Sequence, residues 1–169
     1  MNAHPATWDV DRLLAECTSR RQRRSGPGGQ HRNKVETAVV VTHRPTNVQG
    51  EASERRSQEQ NRQMAVFRLR VNLALRERAV LDLDAGGPSR RWRTRCPNGR
   101  IAVNPRHEDF PALLAEALDV LHAAEMDVKR AATWLACSPS QLTRFLKRSP
   151  RALDHVNAAR RAAGLHALK

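Results

Sequence analysis

Residues 25–30, SGPGGQ, place three glycines and one proline within six positions. The freedom of glycine at φ and the missing amide of proline exclude a continuous helix or a paired strand here, so the flanking elements must be joined by a loop. The flanks obey different periodicities. Before the loop, Val10, Leu13, Leu14 and Cys17 fall at i, i+3, i+4 and i+7, the stripe of a short amphipathic helix, which runs into the basic residues Arg20, Arg21, Arg23 and Arg24. After it, ETAVVVT at 36–42 is rich in β-branched residues, and the turn signal Arg44-Pro45-Thr46-Asn47 leads to a short VQGEA segment. An antiparallel hairpin is predicted.

Ser53 and Ser57 offer helix caps, Ser57 with Gln60 three positions on, and Met64, Phe67, Val71, Ala74 and Leu75 then recur at helical spacing to about residue 80. The other faces of this helix carry Arg55, Arg56, Arg62, Arg68, Arg70, Arg76 and Arg78, more cations than the nearby acids balance. Residues 84–106, with GGP, RRWRTR and CPNG, lack periodicity and read as a basic linker. In the last third, Phe110, Leu113, Leu114, Ala117, Leu118 and Leu121 form one helical stripe and Val128, Ala131, Ala132 and Leu135 another. Ser138-Pro139 with Gln141 and Ser149-Pro150 then signal two further helix starts, and Gly164 a stop. The expected architecture is α+β: a small unit over residues 1–83, the linker at 84–106, and an all-helical, helix-turn-helix-like module over 107–169.

Thirty Lys and Arg against 17 Asp and Glu give a net charge of +13, which makes a polyanion the first partner to expect. No long apolar run suggests a membrane span, and the acidic residues Asp9, Asp11 and Glu16 near the N-terminus argue against a signal peptide or a basic presequence. The three cysteines, Cys17, Cys96 and Cys137, form no C-x-x-C pair and fit neither a disulfide framework nor a zinc knuckle, so a reducing, cytoplasmic setting without metal is expected. Tyr is absent and aromatics are only 4%, against a base-stacking sheet of the RNA-recognition type.

Residues 25–47, SGPGGQHRNKVETAVVVTHRPTN, closely resemble the catalytic domain of class I peptide chain release factors, from GPGGQH and NK through to the TH-x-PT that closes the hairpin. RSQ-x-x-N at Arg56 to Asn61, followed by Ala65, extends the resemblance over roughly residues 20–80. The resemblance implies a release-factor-like fold and ribosome-dependent hydrolysis of the peptidyl-tRNA ester in the large-subunit peptidyl transferase centre, with no cofactor. It assigns catalysis to Gly28, Gly29 and Gln30, and it allows a methyltransferase to act on Gln30. A monomer is expected.

The residues suit that chemistry in their own right. A tip that must reach an ester deep inside RNA needs close backbone approach, which Gly28 and Gly29 permit. A preorganised N–H aimed at the oxygen that gains charge is worth about 3 to 4 kcal/mol, the role the resemblance gives to the amide of Gln30. Its neutral carboxamide orients water without the desolvation cost of a charge. His31 reads as a positioning group in preference to a general base. Asn33 and Lys34 orient the loop and touch phosphate, with Arg20, Arg21, Arg23, Arg24, Arg55, Arg56 and Arg62 as further rRNA or tRNA contacts. Arg32 departs from the family, which commonly has a small apolar residue there; it either adds a phosphate contact or weakens docking.

The segment before the loop is one short helix, which leaves no stop-codon reader and points to the codon-independent activity of the family's short ribosome-rescue members, acting on stalled ribosomes or separated large subunits. Two stretches offer ribosome targeting in place of a disordered basic tail. The first is RRWRTR, with Arg90, Arg91, Arg93 and Arg95 and with Trp92 either stacking on a base or packing back on the protein. The second is AATWLACSPSQLTRFLKRSP, which resembles a helix-turn-helix with Arg144, Lys147 and Arg148 on its second helix and Ala136 where that motif often has Gly. A DNA-binding regulator and a non-catalytic RNA-binding adaptor are the rival readings.

Overall fold

The computed structural model describes residues 3–22 and 37–169. A 3₁₀ turn (Pro5–Thr7) leads to α1 (Val10–Ala15), whose N-cap Asp9 accepts a hydrogen bond from the Arg12 amide at 2.9 Å. The helix ends earlier than its apolar stripe suggested, because Cys17 opens a strand, β1 (Cys17–Gln22). Sequence gave no sign of β1: Thr18, Ser19, Arg20 and Arg21 are all exposed, so no alternation of apolar residues marks it. It is held by its ladder to β2 (Ala38–His43), which pairs in turn with β3 (Val48–Ala52). The antiparallel sheet has the order β1-β2-β3, so the predicted hairpin forms and gains a third strand. Its turn places Asn47 at φ +54°, a conformation Asn tolerates, and Thr46 Oγ1 meets Nδ1 of the buried His43 at 2.8 Å.

Helix α2 (Gln58–Arg76) starts at Ser57, whose hydroxyl accepts from the Gln60 amide, and lies across the sheet. Its buried face keeps only Ala74 and Leu75 of the expected stripe. Ala65, Val66, Leu69, Leu73, Ala74 and Leu75 are buried while Met64, Phe67 and Val71 are only partly covered. The small side of the helix turns inward because the sheet approaches closely at Gly50, where an added Cβ would collide with Ala65 O and the Leu69 backbone.

Residues 84–106, expected to be a basic linker, are part of the packed structure. Ser89 caps α3 (Arg90–Arg95), its backbone and hydroxyl donating to Glu116 at 2.6 Å each, and Trp92, Ile101 and Val103 are buried. The signal was missed because one turn and a half of helix with a single apolar anchor has no measurable period. Trp92 is 1% exposed, donates from Nε1 to Leu135 O at 2.8 Å, and meets Phe145 edge-on with ring centroids 5.8 Å apart.

Four helices complete the chain: α4 (Phe110–Ala123), α5 (Val128–Trp134), α6 (Pro139–Leu146) and α7 (Pro150–Ala162). Helix α4 is buried on nearly all sides, from Phe110 through Leu121, as a central helix must be, and it packs along α2. Asp127 caps α5 and Ser138 caps α6 through the Gln141 amide; α7 begins at Pro150 as predicted, but the Ser149 side chain makes no cap bond. One continuous hydrophobic core joins the sheet, α2, Trp92 and the four C-terminal helices. No helix among the described residues is long and apolar enough to cross a membrane.

Candidate functional site

In the register of β1 with β2, Gln22 stands opposite Ala38 and Arg21 opposite Val39. The two strands therefore deliver both ends of residues 23–36 to the same end of the sheet. Gly28, Gly29 and Gln30, together with Arg23, Arg24, His31, Arg32, Asn33 and Lys34, belong to that segment and lie outside the described residues.

The frame around it is well defined. Asn61, in the first turn of α2 and fully buried, donates from Nδ2 to Thr37 O at 2.7 Å and to Arg55 O at 2.9 Å, and its Oδ1 accepts from the Arg55 amide at 3.0 Å. One carboxamide thus fastens the chain leaving residues 23–36 to the start of α2. A buried amide with both ends satisfied resists displacement, since each group it serves would otherwise be left without a partner. The RSQ-x-x-N pattern contains Asn61, but a lone Asn in the first turn of a helix signals only a cap, so the pattern alone does not reveal this role.

Around this frame Arg20 and Arg21 are exposed on β1, and Arg55, Arg56 and Arg62 are exposed at the start of α2. Arg62 is 3.9 Å from Glu59 in a solvent-exposed pair that contributes little. Arg68 and Arg70 of α2 and Arg78 just after it serve the fold, whereas Arg76 is exposed. Arg68 pairs with Glu54, while the buried Arg70 donates to Ala6 O at 3.0 and 3.1 Å and to Glu108 O at 3.2 Å. Arg78 donates to Ala74 O and Leu75 O and meets His155 Nε2 at 3.0 Å.

The second basic stretch divides. Trp92 is buried, which removes it as a base-stacking platform. Arg91 and Arg95 are bound to Asp109 at 3.2 and 2.8 Å, and Arg148 donates to Val103 O. Arg90, Arg93, Arg144 and Lys147 are exposed and make no ion pair among the described residues. The sequence could not separate the two sets, because the acid that captures Arg91 and Arg95 lies 14 residues beyond Arg95 on the cap of another helix.

Other chemistry among the described residues is structural. Burial pushes the thiols of Cys17 and Cys96 up and that of Cys137 to about 12, so none is poised as a thiolate. No group of His, Cys, Asp or Glu among them is arranged to hold a metal ion. Burial raises Asp119 to about 7, while the Ala79 amide it accepts from at 3.1 Å works in the opposite direction. Burial lowers His4 to about 4, where Nδ1 accepts from the Ala6 amide and Nε2 can donate to Glu77 O, the pattern of a neutral imidazole.

The RF-1 domain family model matches residues 11–94. Peptide chain release factor 1 of Xylella fastidiosa (strain 9a5c) is 39% identical over 114 residues, covering 59% of this chain and 32% of that protein. Peptide chain release factor 1 of Acidiphilium cryptum (strain JF-5) is 38% identical over 110 residues, covering 57% and 31%. The chain therefore spans about a third of the length of these relatives. No solved structure matches it. The GPGGQH segment, the strands that frame it and the helix that follows all fall within the matched residues, and the chain belongs to the class I peptide chain release factor family.

Proposed function

We propose that this protein hydrolyses the ester of peptidyl-tRNA in the peptidyl transferase centre of the large ribosomal subunit, independently of the codon, on stalled ribosomes or separated large subunits. The observation that carries the reading is the position of GPGGQH within an RF-1 domain match, on a segment whose ends emerge side by side next to exposed arginines. In this reading Gly28 and Gly29 let the backbone approach the ester, the Gln30 amide stabilises the oxygen that gains charge, and the Gln30 carboxamide holds the attacking water. The ribosome supplies the remaining environment, so the protein alone is an incomplete enzyme. Arg20, Arg21, Arg55, Arg56 and Arg62 meet rRNA or tRNA phosphates, contacts that position a protein without reading sequence, in keeping with codon independence. A cytoplasmic monomer, with Gln30 as a substrate for a methyltransferase, completes the proposal.

The test is release of labelled peptide from purified ribosome–nascent-chain complexes. Gly29→Ala, which displaces the Gln30 amide, should bind ribosomes as the wild type does yet release peptide at least about 100-fold more slowly, the scale of a lost oxyanion donor. Gln30→Ala, which keeps that amide but removes the carboxamide that holds the water, should also bind normally and release peptide much more slowly. Equal rates for wild type and Gly29→Ala would overturn the assignment.

A further inference from the structure

Helices α5 and α6 are joined by a short turn in which Ala136 adopts φ +51°, the left-handed conformation for which glycine is usually selected. The pair buries Val128, Ala131, Ala132, Leu142, Phe145 and Leu146 against the rest of the core. Their outward faces are different in kind. On α6, Ser140, Thr143, Arg144 and Lys147 follow one another at i, i+3, i+4 and i+7 on the side away from the core; on α5, Lys129 and Arg130 are exposed at the first turn. These six residues line one side of an open groove of about 860 Å³ between α5, α6 and the residues after α7.

The four cations make no ion pair among the described residues. Two carboxylates also border the groove. Asp127 is committed to the α5 cap, where it accepts from the Lys129 and Arg130 amides at 2.8 and 3.2 Å, which leaves Glu125 as the other acid. Arg160 reaches the groove but is spent on His166 O and Met126 O. A net positive face on a rigid pair of helices is electrostatically complementary to a polyanionic partner.

We propose that this α5–α6 face docks on the phosphates of an RNA helix. The choice of RNA rests on the proposed ribosomal function; the choice of backbone over base edges rests on the helix itself. A helix-turn-helix that reads DNA places base-reading side chains at the N-terminal end of its second helix; here that end carries Pro139, Ser140 and the half-buried Gln141, none of them a cation, and Gln141 does not line the groove. The cations stand toward the other end of α6 and at the start of α5, bordering the same groove, and contacts from such groups to backbone phosphates fix position without specifying sequence. The surface uses no residue of 23–36 and would hold the protein on the ribosome while that segment acts.

The test uses the full-length protein and a fluorescent RNA duplex of mixed sequence, followed by anisotropy across a salt series. Arg144→Ala combined with Lys147→Ala should weaken duplex binding at least about 10-fold and lower the slope of log affinity against log salt by roughly two, about one per phosphate contact. Arg100→Ala combined with Arg106→Ala removes the same charge from exposed positions elsewhere and should change affinity by less than a factor of about two, with thermal melts confirming that both variants fold. Unchanged binding in the first variant, an equal loss in the second, or a preference for one DNA sequence over the RNA duplex would each overturn the proposal. Peptide release at saturating protein separates the two readings. Duplex binding that depends on Arg144 and Lys147 without any release contradicts the proposed hydrolysis alone, and release with duplex binding indifferent to them contradicts this docking surface alone.

Discussion

Asn61 shows how one side chain can determine the geometry of a site it does not belong to. Its carboxamide holds Thr37 and both backbone groups of Arg55. Asn61→Ala should cost about 2 to 4 kcal/mol in a denaturant titration, since it strands three backbone groups that now share one partner, and it should slow peptide release beyond what the lost folded fraction explains. Asp119 makes a different prediction. Its carboxyl is raised from 3.8 to about 7 by burial, so the folded state holds the proton more tightly than the unfolded chain does. The stabilising contribution is complete below pH 3.8 and is lost as pH rises through about 7. Asp119→Asn keeps an acceptor for the Ala79 amide and removes the titration, so its gain over wild type should be larger at pH 8 than at pH 5, by about 1 to 3 kcal/mol. His4, lowered to about 4, has the opposite sign between pH 4 and 6.5, but it is present in both proteins and drops out of the difference.

Among the elements, β3 and α2 approach closely at Gly50. Gly50→Ala would set a methyl group against Ala65 O and 2.7 Å from Leu69 Cα, so the helix must lift from the sheet. A loss of at least about 3 kcal/mol is expected, seen as a fall in melting temperature. What was legible at this scale follows from what each element buries. The hairpin, α2, α4 and the Ser138 cap were readable because β-branched runs, apolar periods and cap residues report local physics directly. Strand β1 was not, since its residues face solvent and its pairing is written in β2. The face of α2 was misread because helix-to-sheet approach selects small residues such as Ala65, which apolar periodicity discounts in favour of Met64 and Phe67.

At the scale of the whole molecule, the core runs through the boundary that composition suggested. Arg91 and Arg95 hold Asp109 at the start of α4, Trp92 reaches Leu135, and α4 packs along α2. The 84–106 stretch reads as a linker only because its anchors are scattered among Gly, Pro and Arg. A chain cut after residue 106 would expose the α2 face that α4 covers and should lose the cooperative thermal transition of the full-length protein, checked by circular dichroism and dye binding. Of the candidate site, the GPGGQH motif was legible as a short, ordered run of residue types; the division of the arginines into pairing and free ones was not, because it depends on acids distant in sequence.

The central claim, hydrolysis without codon reading, is tested most directly by the rate of peptide release from three otherwise identical ribosome–nascent-chain complexes: one with a stop codon in the decoding site, one with a sense codon, and one with the messenger ending before that site. Comparable rates on the stop and sense complexes, with release from the truncated complex at least as fast and Gln30→Ala inactive on all three, are predicted. Release confined to the stop-codon complex would contradict the account.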